Sequence, residues 1–399
     1  MTAGPRLALD GSARLLTVAV AHGAVAGALA AATLTAMHLL QRLVWVGDEG
    51  PLRIALTILA GGVLITLLRH REHGEESLES VLAASEDPIA FHWRRALHLT
   101  ALSVTAVAFG GAVGPEAGLI AIVTELSAIV TRRIACTREE ARRIGELGAA
   151  AALGGLYGSP PAGAAWSDDS LTGRKVPHLV AAAAGLLGFL LVHHLTSGGP
   201  VHLGIPAVEG EDRRLVLTLV PALAGAFVAA LFALGQPVLA SLVGRLPGGP
   251  AARAMAATAA VALLAAAVPS VRFSGHEELS EVARLLSESA WGDLATLAVL
   301  KLLATALCLR GGWLGGVIFP LLYAGAAAGA ATTALLPALD AGSAIVAGLT
   351  AAAVVGLRKP LAAVLVCAFV VGGGAWGPLA VALVVGSLVG RRLPEPAAH

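Results

Sequence analysis

The chain has 399 residues, of which 57% are hydrophobic and 13% charged, with a mean hydropathy of +0.80 and a formal net charge of +1. A soluble domain is about 45–50% apolar and about 25% charged, so a soluble globule is excluded, as are disordered, collagenous and disulfide-framed chains. A polytopic helical membrane protein remains, and a charge so near zero implies no nucleic-acid partner.

The first apolar run, 15–46, is broken only by His22, His38, Gln41 and Arg42. It exceeds a signal-peptide core of about 7–15 residues, so it reads as the first membrane helix. Further apolar runs follow at 52–68, 96–109, 117–131, 145–166 and 176–195. The remainder fall at 214–244, 251–269, 292–309, 315–336, 341–356, 360–371 and 376–390. Spanning a bilayer takes about 20 residues. Several of these runs are shorter, and Gly or Pro interrupts many. Short, broken apolar helices line ion and substrate sites, although Gly also serves tight helix packing.

The connections are polar. Residues 69–95 mix Arg with six Glu and Asp, residues 132–143 carry five Arg, and Glu209 to Arg214 divides two halves of similar length. Arg391 and Arg392 lean the C-terminus toward the cytoplasm. Cys136, Cys308 and Cys367 are widely spaced and read as reduced packing residues. His193-His194 and His70 with His73 read as interfacial or solvated histidines rather than a metal site. There is no serine nucleophile motif and no phosphate-binding loop, so an intramembrane enzyme is disfavoured and no cofactor is expected.

Two stretches repeat. Gly110 to Glu116 resembles Gly311 to Gly316 at an offset of 201, and Gly148 to Gly163 resembles Gly348 to Ala363 at an offset of 200. Two matches in the same order at nearly one offset argue for an internal duplication. In each half a Gly-rich turn opens an apolar helix. The first amides of a helix lack internal partners, and the helix dipole adds positive potential there. Such an end binds an anion without a basic side chain, and does so moderately enough for release. Glu116 stands at one of these ends. Ionised, its carboxylate competes with a permeating anion; protonated, it moves aside. The alternative is an ordinary helix-start Glu that complements the dipole.

Taken in order, these motifs resemble the CLC chloride channels and chloride/proton exchangers, most closely a small prokaryotic branch named only for ion transport. Gly114-Pro115-Glu116-Ala117-Gly118 resembles the family motif that carries the gating glutamate. Gly315-Gly316-Val317-Ile318-Phe319-Pro320 resembles its Gly-x-Phe-x-Pro motif, shifted by one at the Phe. Pro160-Pro161-Ala162-Gly163 and Pro360-Leu361-Ala362 resemble its Pro-led helix starts. The resemblance implies an all-α polytopic membrane protein, a CLC-type inverted repeat of two halves with discontinuous, tilted and re-entrant helices. It implies a 1–14 cytoplasmic segment and a 15–392 membrane domain, with halves at 15–195 and 213–392 and a 196–212 linker. It implies a short 393–399 tail without a CBS domain. It further implies a homodimer in the inner (plasma) membrane that moves chloride, or another small anion, with or without protons. Glu116 would be the gate. The outer anion would meet the amides of Glu116 and Ala117, and the central one those of Val317 and Ile318.

Three departures matter. Pro115 replaces a basic residue and has no N–H. The family's anion-binding Ser would fall near 73–78, where only Gly74 and Ser77 fit. Its anion-binding Tyr would fall near Gly374, where none stands. The family's internal proton-transfer Glu would fall at Ser170. Asp168 and Asp169 just before it read either as proton-pathway groups or as helix caps at the water interface. Lys301, inside an apolar run, reads either as a vestibule charge that concentrates anions or as a side chain snorkelling to the interface. A secondary transporter of fluoride or a small organic anion on the same plan is the alternative function.

Overall fold

The apolar runs become helices whose ends fall at Pro, Gly and polar caps. A computed structural model describes residues 12–47, 49–69, 93–135, 137–197, 212–275, 278–372 and 374–394. Ser77, the His70/His73 pair, Cys136 and most of the 196–212 linker lie outside them. In the first half α1 is Ser12–Val44, α2 Pro51–Arg69, α3 Trp93–Ala108, α4 Glu116–Ile134, α5 Arg138–Leu156, α6 Pro160–Ala165 and α7 Val176–Ser197. In the second half α8 is Leu219–Gly244, α9 Pro250–Ala267, α10 Leu279–Ser287, α11 Trp291–Arg310, α12 Ile318–Ala331, α13 Ala341–Leu357, α14 Pro360–Val370 and α15 Trp376–Gly390. Among the described residues, six stretches are long and apolar enough to cross a membrane: Ala13–Val44, Pro51–Arg69, Gly173–Thr196, Leu215–Gly244, Pro250–Ala267 and Trp291–Arg310. No strand occurs among the described residues.

The element order repeats. Helices starting at Glu116, Arg138, Pro160 and Val176 recur in sequence at Ile318, Ala341, Pro360 and Trp376. The run predicted at 145–166 is two helices. Ser159 caps α6 by accepting from the Ala162 amide at 3.3 Å, and Pro160 sits where a missing N–H costs nothing. The charged start of α5 was outside the apolar pattern. It is set by Thr137, which accepts from the Glu140 amide at 3.2 Å.

The described chain forms two compact units. Unit 1 comprises Met1–Leu39, Glu76–Val104 and Pro115–Pro200; unit 2 comprises Leu40–Glu75, Thr105–Gly114 and Val201–His399. The core of unit 1 joins Ala26 and Ala30 of α1, Leu119 and Val123 of α4, Ala151 and Ala152 of α5, and Phe189 of α7. Small residues set its helix spacing: a Cβ on Gly27 would stand 1.9 Å from the Gly185 carbonyl oxygen. Polar pairs also join its helices, among them His22 Nε2 with Ser127 Oγ at 3.0 Å and His178 Nε2 with Glu146 Oε2 at 3.0 Å. Unit 2 packs α8, α12 and α13 through glycines of the same kind. Gly348 faces the backbone of both Gly325 and Gly329, and Gly225 faces Gly348. Such contacts replace the hydrophobic drive that lipid removes.

Candidate functional site

The two Gly-rich turns are built alike. Helix α3 ends with Gly110 at φ 86°, the Gly110 amide bonded to Val107 O and the Gly111 amide to Ala106 O. Helix α11 ends with Gly312 at φ 79°, the Gly312 amide bonded to Leu309 O and the Trp313 amide to Cys308 O. Both are left-handed glycine caps. They correct the sequence alignment of the turns, because Gly110 matches Gly312 and the offset is 202 rather than 201. Helix α11 runs into Arg310 with Gly311 still bonded to Leu307 O, so Gly311 takes the place of Phe109.

From these caps each chain runs to a glycine that pairs with its counterpart. Gly114 N–H donates to Gly316 O at 2.8 Å, and Gly316 N–H donates to Gly114 O at 3.0 Å. The neighbouring Gly315 has no room for more. An added Cβ would lie 2.6 Å from both Gly114 O and the Val113 side chain. The Ala112 amide donates to Cys308 Sγ at 3.3 Å, which fixes the first turn to α11.

Two residues along the chain from each paired glycine, a helix begins. Pro115 is the N-cap of α4 and Val317 that of α12; Leu119 N–H returns to Pro115 O and Leu321 N–H to Val317 O. Glu116 and Ile318 are the first helical residues. Pro320 brings no amide to α12, while Gly118's amide donates to Ser103 Oγ at 3.2 Å. The amides of Ala117, Val317 and Ile318 have no hydrogen-bond partner among the described residues. Glu116 is fully buried, and Ala117, Gly118, Ile318, Phe319 and Pro320 are buried around their own helix starts. The Tyr157 hydroxyl donates to Glu116 Oε1 at 3.5 Å. The sequence reading missed Tyr157. Its signal was an aromatic three residues before the Pro160 helix start, where α5 is brought back toward α4.

Lys301 lies within α11. It is 0% exposed, and its Nζ donates to the carbonyls of Arg272 at 2.7 Å and Phe273 at 2.9 Å, 4.8 Å from the Tyr323 ring centroid. Phe273 is left-handed, at φ 57°, and its amide donates to Gly110 O at 3.4 Å. Arg272 pairs with Glu49 at 2.6 Å and lies 4.5 Å over Trp45, whose Nε1 donates to Ala108 O at 2.9 Å. The lysine therefore braces the segment that holds the Gly110 cap. Lys301→Met is expected to destabilise the protein by about 2–3 kcal/mol, because two buried carbonyls lose a charged donor. Thermal unfolding in detergent, followed by tryptophan fluorescence, measures this, and an unshifted midpoint refutes the bracing role.

Asp168 and Asp169 lie in the turn after α6. Asp168 is exposed and pairs with Lys175 Nζ at 3.0 Å, while Lys175 also donates to Ser167 Oγ at 2.6 Å. Desolvation pushes the Asp168 carboxyl up, but hydrogen bonds from Lys175 and Ser170 and the lysine charge together outweigh it and hold it below the ordinary value. Asp169 is left-handed, at φ 54°, with its amide on Ala165 O at 2.8 Å. No cluster of metal-ligating side chains occurs among the described residues.

Residues 57–391 match the family described as Voltage gated chloride channel. A relative in Salmonella choleraesuis, named YfeO and described by name alone as an ion-transport protein, is 28% identical over 324 residues. That match covers 76% of this chain and 75% of the relative. A slow cyanobacterial Cl-/H+ antiporter superposes with a TM-score of 0.79 at 18% identity, covering 98% of this chain and 95% of that one. A CLC-type fluoride/proton antiporter gives 0.74 at 18% identity, with 95% of each chain covered. A eukaryotic CLC transporter gives 0.70 at 19% identity, covering 96% of this chain and 72% of its own.

The fold is thus that of the CLC transporters, a helical polytopic membrane protein of the channel and transporter class rather than of an enzyme class. The chain belongs to the voltage-gated chloride channel family.

Proposed function

We propose that this chain carries chloride across the inner (plasma) membrane as a homodimer, with Glu116 as the gate of each subunit's pathway. The observation that carries the reading is the placement of Glu116. It is a buried carboxylate at the first position of a helix, beside the amide of Ala117. The start of α12 supports it, since the amides of Val317 and Ile318 lack partners among the described residues and are free to receive an anion. Gly114, Gly315 and Gly316 set the backbone path to both helix starts. Gly118, Phe319 and Pro320 shape the first turns, and no side-chain cation is required.

Purified protein in liposomes of phosphatidylethanolamine and phosphatidylglycerol, followed with chloride, fluoride and pH electrodes, tests this. Chloride efflux supports the reading, and its absence from folded protein refutes it. Fluoride is the second cargo to try, because one structural neighbour is a fluoride/proton antiporter.

The proton question is tested at the acidic pair after α6, where Asp168 is exposed and pairs with Lys175 at 3.0 Å. Asp168→Asn is expected to leave chloride flux and proton movement within about twofold of wild type, the scale of an exposed ion pair. Proton movement that disappears in Asp168→Asn would place Asp168 on a proton route, and the same loss in Asp169→Asn would assign that role to Asp169.

A further inference from the structure

The family's Tyr position near Gly374 holds no hydroxyl, and the chain has only two tyrosines, Tyr157 and Tyr323. Tyr323 lies against Lys301, within the brace of the Gly110 turn. Tyr157 lies against Glu116. It closes α5 as its C-cap, with its amide on Leu153 O at 2.9 Å. Its ring is 4% exposed and stacks on Trp166, the residue that closes α6, with centroids 5.7 Å apart. Backbone and ring are thus both fixed, and only the hydroxyl hydrogen turns freely. That hydroxyl donates to Glu116 Oε1 over 3.5 Å, in a place the solvent does not reach.

We propose that Tyr157 is an anion ligand of the pathway, its hydroxyl donating a hydrogen bond to the Glu116 carboxylate when the carboxylate fills the site and to the permeating anion when it has left. This rests on the transport reading above and adds a ligand to it. A buried phenol O–H that loses its acceptor costs about 1–3 kcal/mol. A hydroxyl that serves the carboxylate therefore favours a second acceptor in the same place. The departing group is an anion, and so is the arriving one, so a single fixed donor suits both. The Ala117 amide, next along α4, offers a second donor from the backbone.

The test is a double-mutant cycle in the same phosphatidylethanolamine/phosphatidylglycerol vesicles, using wild type, Tyr157→Phe, Glu116→Gln and the double variant. Each is checked first for a single dimer peak. Two quantities are read. The first is the gain in chloride efflux on neutralising Glu116. It is expected to be about fivefold smaller with Phe at 157, since the carboxylate is then less firmly held. The second is the chloride-to-iodide permeability ratio in the Glu116→Gln background. It is expected to fall about threefold on removing the hydroxyl, because the smaller halide draws more from a hydrogen bond. A purely structural tyrosine moves neither the coupling nor the halide order. Either quantity remaining at its Tyr157 value overturns the proposal. Absence of halide efflux from every folded variant, Glu116→Gln included, instead overturns the transport reading and this inference with it.

Discussion

Replacing Glu116 with glutamine is expected to raise chloride efflux by about tenfold or more and to remove most of its dependence on pH. The wild-type carboxylate is buried at the start of α4, where the helix dipole and the Tyr157 hydroxyl can hold it in the site. While it stays there, it excludes a chloride ion from the same donors. Acid removes the charge, so wild-type efflux should rise as pH falls. Glutamine has the shape of the protonated acid but no proton to lose, so its efflux should be high and flat. A charge-assisted hydrogen bond is worth about 1.5–3 kcal/mol and each 1.4 kcal/mol is a factor of ten, which sets the size of the gain. Electrode traces across a pH series settle the matter. A variant that conducts no faster than wild type, with the same pH dependence, would remove Glu116 from the pathway.

A large structural effect is expected at Gly225. A Cβ there would stand 2.0 Å from the Gly348 carbonyl oxygen, and 2.7 and 2.8 Å from that residue's C and Cα. The obstacle is backbone on the facing helix, so no rotamer change relieves it, and α8 and α13 must separate. Overpacking costs about 1–3 kcal/mol where side chains can adjust; Gly225→Ala should reach or exceed the top of that range. Gly235 is the control, because it lies in the same helix and an added Cβ meets nothing within 4 Å. Gly235→Ala should gain up to about 1 kcal/mol from helix propensity alone. Thermal unfolding in one detergent, with both variants side by side, gives the comparison. Equal midpoints would mean that the close approach of α8 and α13 contributes nothing to stability.

Much of this fold was legible because lipid makes apolar runs long and Pro and Gly mark their ends. The runs at 52–68, 292–309 and 376–390 differ from α2, α11 and α15 by a residue or less at each end. What hydropathy could not show was polar structure. The start of α5 hides among Arg and Glu, held by a Thr137 cap and by i to i+4 pairs such as Arg142 with Glu146 at 3.0 Å. Helix α10 is short and amphipathic and belongs to no long apolar run. The register of the repeated turns slipped by one because Gly-Gly matches Gly-Gly at either offset, while the left-handed cap distinguishes them.

Within the site, Glu116 was legible as a lone carboxylate opening an apolar helix. The function of Lys301 was not, because its partners are main-chain carbonyls 28 and 29 positions earlier and leave no side-chain signature. Tyr157 was hidden for a similar reason. Its relation to Glu116 spans 41 positions and depends on how α4 and α5 fold back on each other.

The reciprocal bonds between Gly114 and Gly316 join two residues that occupy equivalent positions in a duplicated sequence. An antiparallel bridge has local twofold symmetry, so the two turns meet as equals at this point. Past the shared glycines the two copies part. One helix opens on a carboxylate, Glu116, and the other on an inert Ile318. The equivalence of the two turns therefore stops at chemistry, because one helix start can change its charge and the other cannot.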